Sequence, residues 1–201
     1  MNVKTRFEIV ALVLISAWIV TAQPRLIDLQ KSAMTVRVSK AGILSALGHD
    51  HEIVASIAAG TVDVTNRRVE LRCSAAALRV HDPDASDKDR EEIQKTMLGP
   101  AVLDVDRYPR IVFQSSAVEP AGAGSWTITG ELSLHGQTRP IAVQVHERNG
   151  HYIGTARLKQ SEFGIKPVKV AGGTIRVKDE VRIEFDVQLA QSTNTHGLAG
   201  K

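Results

Sequence analysis

Seven histidines and one cysteine are the side chains here with the widest chemical reach. The densest run of possible ligands is His49-Asp50-His51-Glu52. Two histidines at i and i+2 on a strand project to the same face, so a metal ion is geometrically possible there. A third ligand would have to come from His81, His135 or His151, none of which is spaced as a partner motif. Polar groups around the mouth of a closed fold, or histidines bonded to loop backbone, explain the same residues without a metal. His135-Gly136 fits a tight hairpin, with glycine supplying the permissive backbone. Cys73 stands alone in a strand-like segment and reads as a small buried apolar residue, with no disulfide to form. Asp104 and Asp106 flank Val105, and nothing in the sequence marks them as a catalytic pair. The chain has no G-x-S-x-G serine, Cys-His pairing or glycine-rich phosphate loop. We therefore expect a binding protein, with no catalytic residue, cofactor or bound metal.

The elements that must position these residues are strands. From Tyr108 to Gln188 apolar and polar residues alternate with a period of two, as in antiparallel strands with one dry face. Trp126, Ile128, Leu132 and Leu134 share a side with Gly130; Ile141, Val143 and Val145 oppose Gln144 and His146. Tyr152, Ala156 and Leu158 form a third dry face, and Val181, Ile183, Phe185, Val187 and Leu189 a fourth. Asn149-Gly150 and His135-Gly136-Gln137 mark hairpins, and Pro120 to Gly124, Ala171-Gly172-Gly173 and Lys178-Asp179 mark further turns. Upstream, Leu26 to Lys40 reads as a long strand with a break. Glu52 to Ile57 and Thr61 to Val64 read as strands joined by Ala58-Ala59-Gly60, and Val69 to Val80 as one long strand. Ala41 to Gly48 is either a short helical turn or a loop. Ser86, three residues before Asp89, is an N-cap, and Gly99-Pro100 a stop, for about three turns of helix lying over the sheet or across a barrel end. Eight to ten strands, each dry on one side, must hide that side together in a sandwich or a closed barrel. Small inward residues (Gly130, Gly154, Ala156) beside Trp126, Tyr152 and Phe185 are compatible with a channel and equally with fitted packing.

With 201 residues, 43% of them hydrophobic and 23% charged, one core suffices and a second domain is unnecessary. A net charge of +3 is spread along the chain without a basic tract carrying interleaved aromatics, which argues against nucleic-acid binding. Lys4 and Arg6 precede an apolar run from Ile9 to Val20, and Val20-Thr21-Ala22 offers small residues for a signal peptidase. The run is shorter than the roughly 20 residues of a comfortable span. A signal peptide over 1–22, cleaved near Ala22–Gln23, is expected, with no stable membrane span afterwards. Glu8 is untypical of a signal and keeps an uncleaved anchor as the alternative. Residues 23–190 then form the folded domain and 191–201 a frayed polar tail.

Three stretches carry a resemblance. Y-P-R-I-V-F at 108–113, G-E-L-S-L-H-G-Q-T-R-P-I at 130–141 and S-E-F-G-I at 161–165 stand in the order and spacing of the YceI-like family of exported lipid- or polyisoprenoid-binding proteins, which the chain resembles from about Gln23 to Leu189. The family often has Asp where Glu162 stands, and residues 40–53 look like a subgroup version of its second-strand region. The resemblance implies an all-β, lipocalin-like antiparallel barrel of eight strands with one inserted helix, in the periplasm. It implies an elongated apolar tunnel for an isoprenoid-type lipid, such as a polyprenyl lipid or a quinone.

On this reading Phe113, Trp126, Ile128, Leu132, Ile141, Val143, Tyr152, Phe163 and Phe185 are the expected ligand-binding residues. His49, His51 and Arg139 are the candidates to orient a head group. Aromatics make up only 4% of the chain, so the lining is mostly aliphatic, which suits a flexible isoprenoid better than a flat aromatic ligand. Two other classes stay open: a metal-dependent enzyme using His49 and His51, and a packed barrel acting as an interaction module.

Overall fold

The computed structural model describes residues 23–41, 50–170 and 175–191. The expected signal peptide, the segment 42–49 with His49, the turn at 171–173 and the tail from 192 onward lie outside the described residues.

Twelve strand segments form one antiparallel sheet: β1 (Arg25–Leu26), β2 (Ala33–Ala41), β3 (His51–Val54), β4 (Ile57–Asp63), β5 (Arg68–Ser74), β6 (Arg79–Val80), β7 (Arg110–Gly122), β8 (Ser125–Leu134), β9 (Gln137–Arg148), β10 (His151–Lys159), β11 (Lys169–Val170) and β12 (Ile175–Gln188). From β7 onward, consecutive strands pair as hairpins through β10. β12 has partners on both edges, β10 on one and β2 on the other. β2 pairs with β3, which runs after two residues into β4, and β4 pairs with β5. β5 in turn pairs with β7. The ring is therefore closed, and β1 completes the seam by pairing with β4 while Ile27 bridges Leu189 beyond β12. Counting β1/β2, β3/β4 and β5/β6 as one stave each, with the two-residue β11 a side pairing of β12, gives the eight that the resemblance implies.

Local chemistry explains the breaks. The Asp28 carboxylate accepts bonds from the Gln30 and Lys31 amides, making a turn that interrupts the first stave between β1 and β2. Several details differ from the sequence reading, among them that Pro120 to Gly122 still belong to β7 and leave only Ala123-Gly124 for the turn. Ala58-Ala59-Gly60 lies within β4, and the break falls at residues 55–56, where Ala55 is buried and bonds the Met34 carbonyl. The long strand expected over Val69 to Val80 is interrupted by a 3-10 turn at Ala75–Ala77, alanine having little β preference of its own. Lys178-Asp179 sits inside β12 at an irregularity between Val177 and Val181, so it bends a strand without ending it.

Helix α1 (Asp87–Leu98) begins as expected, with the Ser86 hydroxyl accepting the Asp89 amide and acids in the first turn. It lies across one end of the barrel against β6 and is tied there by a side chain. Gln94 accepts the Val80 amide at 2.8 Å and donates to the Leu78 carbonyl at 2.9 Å, taking the place of a strand on that short edge.

Two glycines on the inner face are positions of close approach. A Cβ on Gly130 would come within 2.7 Å of the Phe113 ring, and one on Gly154 within 2.8 Å of the Phe185 ring. Each phenyl lies over a glycine of the neighbouring strand, so this much of the small-beside-large pattern is fitted packing.

Candidate functional site

The fitted rings do not fill the barrel. A cavity of about 830 Å³ runs along it, walled by Met34, Val36, Val38, Ile53, Leu71 and their inward neighbours around the ring. Of the residues expected to contact a ligand, Phe113, Trp126, Ile128, Leu132, Ile141, Val143, Tyr152 and Phe185 all line it. They come from β7, β8, β9, β10 and β12, because the period of two puts every second residue of each stave on the inside. Trp126 and Tyr152 meet at a centroid distance of 6.2 Å. That end carries the hairpin turns, and Asp63, Val64, Arg67 and Arg68 line the cavity there. At the other end α1 contributes Ile93, Thr96 and Met97, with Asp89 and Glu92 on its first turns, and Lys40, His51 and Arg176 come from the staves.

Phe163 is placed elsewhere. It lies in a 3-10 turn over Gln160–Phe163, is fully buried, and belongs to the apolar core beneath the helix end, off the cavity wall. Arg139 is exposed on β9, where its guanidinium donates to the carbonyls of Glu162 and Thr138 and to the Gln137 side chain. The three stretches that carry the family resemblance thus converge on one another. The Tyr108 ring packs on His135 with centroids 4.6 Å apart, and a Cβ on Gly136 would strike that same tyrosine. His135 Nδ1–H donates to the Phe163 carbonyl at 3.0 Å, which fixes the tautomer. His135 and Gly136 have φ of 51° and 72°, as a two-residue hairpin turn requires. Downstream, the Ser161 hydroxyl bonds Asp179 and holds that carboxyl below the usual carboxylate range. The motif is a clamp that fastens the 3-10 turn to the β8–β9 hairpin.

His51 is the head-group candidate that the structure brings to the cavity. Its Nδ1 lies 2.6 Å from Asp82 Oδ2, and Asp82 is 2% exposed. The other Asp82 oxygen accepts the Glu52 amide at 2.7 Å. In the sequence Asp82-Pro83-Asp84 only breaks the alternation; nothing in the run distinguishes the buried carboxylate from the exposed Asp84. The residues weighed as further metal ligands are dispersed. His135 serves the clamp, His151 bonds Asp186, and exposed His81 follows β6. Among the described residues no group of three His, Cys, Asp or Glu side chains is arranged to hold a metal ion. Cys73, buried at the β4–β5 seam and on the cavity lining, has its thiol pushed up to about 11 by burial. No helix among the described residues is long and apolar enough to cross a membrane.

Comparison with known proteins agrees with this geometry. The YceI-like domain matches residues 26–189. A UPF0312 protein of Vibrio cholerae is 30% identical over 114 residues, covering 51% of this chain and 58% of the relative. One of Pseudomonas syringae pv. tomato is 37% identical over 75 residues, covering 32% of this chain and 38% of the relative. The matched part thus spans little more than half of the Vibrio relative's length. Among solved structures, Burkholderia cenocepacia BcnA superposes with a TM-score of 0.58 at 21% identity, covering 82% of this chain and 99% of that one. That likeness concerns the fold.

Proposed function

This chain belongs to the YceI-like domain family, and on that footing we propose that it is a non-catalytic binding protein for an amphiphilic isoprenoid-type lipid, a polyprenyl lipid or quinone, held in the barrel interior. The observation that supports the reading is a continuous apolar cavity of about 830 Å³ inside a closed ring of strands. Retention is by burial. Each CH₂-sized unit moved from water to an apolar wall contributes about 0.8 kcal/mol, so a twenty-carbon tail contributes roughly 16 kcal/mol before costs. Lost translational freedom and tail ordering offset about 4–15 kcal/mol of this. Each further isoprene unit of a longer tail adds to the surplus, so a long prenyl chain is held with few polar contacts and the wall needs no particular aromatic ring. The leader over 1–22 fits export, which makes the protein a periplasmic carrier or store.

Native mass spectrometry and solvent extraction of purified protein test the reading. The unmodified protein carries a prenyl-type lipid. Ile128→Trp, which puts an indole into the lumen from mid-strand β8, lowers that load at least tenfold while the circular dichroism of the barrel persists. A ligand-free unmodified protein that also takes up no added prenyl lipid would refute it, as would full loading of the plugged variant. N-terminal sequencing of the exported protein gives Gln23 as its first residue.

A further inference from the structure

We infer that the His51–Asp82 pair is a hydroxyl-recognition site on the cavity wall, and that the ligand's head is therefore a neutral hydroxyl group, that of an isoprenoid alcohol or a prenylated hydroquinone. The inference rests on the lipid-container reading and adds the chemistry of the head. Asp82 is 2% exposed and engages on both oxygens, with the Glu52 amide on one and His51 Nδ1 on the other. A carboxylate accepts, so Nδ1 carries a proton and Nε2 is the ring nitrogen left for a guest. That ring lines the cavity with its side chain 22% exposed. Among the described residues Nε2 has no hydrogen-bond partner. A ring nitrogen in a mostly apolar wall selects a polar guest atom, because a guest without one leaves it dehydrated and unmatched, and a hydroxyl meets it as donor or as acceptor.

The surrounding charges decide against an anionic head. Lys40 and Arg176 line this end of the cavity, but Asp89 and Glu92 of α1 line it too, so among the described residues its lining carries two cationic and two anionic side chains. A phosphate or diphosphate would gain at one pair and lose at the other. A neutral hydroxyl is indifferent to both. Asp82 acts through His51 and is a positioning residue. It also ties this site to the lid: the Asp82 carbonyl accepts Arg90 of α1 at 3.0 Å, so the segment that orients the imidazole is anchored to the helix across the mouth.

The test uses delipidated full-length mature protein and tail-matched probes, read through quenching of Trp126 on the cavity wall. The probes are geranylgeraniol, its methyl ether, its phosphate ester, and a geranylgeranylated hydroquinone with its dimethyl ether. The unmodified protein prefers each hydroxyl compound to its ether by about two- to tenfold, and the larger of the two preferences identifies the source of the head. His51→Ala and His51→Phe abolish the preference while retaining the ethers, and Asp82→Asn reduces it. Equal binding of alcohol and ether, tightest binding of the phosphate ester, or a preference that survives both His51 variants overturns the head-group assignment and leaves the container standing. Failure of every probe to bind overturns both. The alcohol-to-ether ratio needs no variant, so it stays decisive even if Asp82→Asn does not fold.

Discussion

Replacing His135 with alanine tests whether the most recognisable residues of this sequence hold the fold together or hold the ligand. The structure puts His135 in three roles at once. Its Nδ1–H donates to the carbonyl of Phe163, a fully buried residue, at 3.0 Å. Its ring packs on Tyr108 at 4.6 Å, and its backbone has φ of 51°. Losing the hydrogen bond and stranding a buried carbonyl costs about 1–3 kcal/mol. Losing the ring contact costs about 0.5–1.5 kcal/mol more. Alanine tolerates positive φ no better than histidine, so nothing is recovered from the backbone. The expected loss is about 2–4 kcal/mol. For a domain of this size that is a fall in Tm of roughly 5–15 °C, at about 2–4 °C per kcal/mol. Tyr108→Leu removes the ring contact and leaves the hydrogen bond, so it falls by less. In the double variant the two losses do not add, with a coupling of about 0.5 kcal/mol or more. Urea denaturation followed by circular dichroism gives both numbers, and extraction gives the lipid load. Because His135 is not on the cavity wall, the load per folded molecule stays unchanged. A stability change under about 0.5 kcal/mol, or a loss of lipid without loss of stability, would refute the clamp.

Cys73 sets a pH limit on the fold. Its thiol has a pKa of about 11 in the folded protein against an ordinary value of 9.0, because burial disfavours the thiolate. The folded chain therefore holds this proton more tightly than the unfolded one. The contribution is fully present below about pH 9 and is lost as pH rises through about 11, reaching roughly 3 kcal/mol. Cys73→Ala flattens that alkaline limb of the urea midpoint, and an unchanged limb would count against burial as the cause. Gly154→Ala brings a methyl within 2.8 Å of the Phe185 ring and costs about 1–3 kcal/mol. Phe185→Leu in the same chain restores part of the loss, and a neutral Gly154→Ala in a thermal melt would show that the ring is not held over the glycine.

What the sequence made legible and what it hid divide along a physical line. Alternation is a local property, so the inward set Trp126, Ile128, Leu132, Ile141, Val143, Tyr152 and Phe185 was readable residue by residue and lines the cavity. The cap of α1 was readable for the same reason, since Ser86 and Asp89 are three residues apart. Alternation is silent, however, on whether an inward glycine is empty space or the bed of a ring from the next strand. Gly154 lies opposite Phe185, thirty-one positions along the chain, and only the register brings them together. The same limit hid the partner of His51. Asp82 is also thirty-one positions from it, and its neighbours Pro83 and Asp84 mark a loop whether or not the first carboxylate is buried. Phe163 and Arg139 fell on the other side of this line. The sequence reading takes Phe163 as an aromatic of the strand region and Arg139 as a polar residue at the mouth, yet the 3-10 turn at Gln160–Phe163 turns the phenyl into the core and presents the Glu162 carbonyl to the arginine. Conspicuous residues here mark where the barrel is locked. The lumen is walled by ordinary aliphatics, and that is what a binding mode resting on buried area requires: such a wall must be continuous and dry, and it places no demand on any one side chain except where a polar atom of the guest has to be met. On the hydroxyl-recognition proposal, His51 is where this barrel meets it.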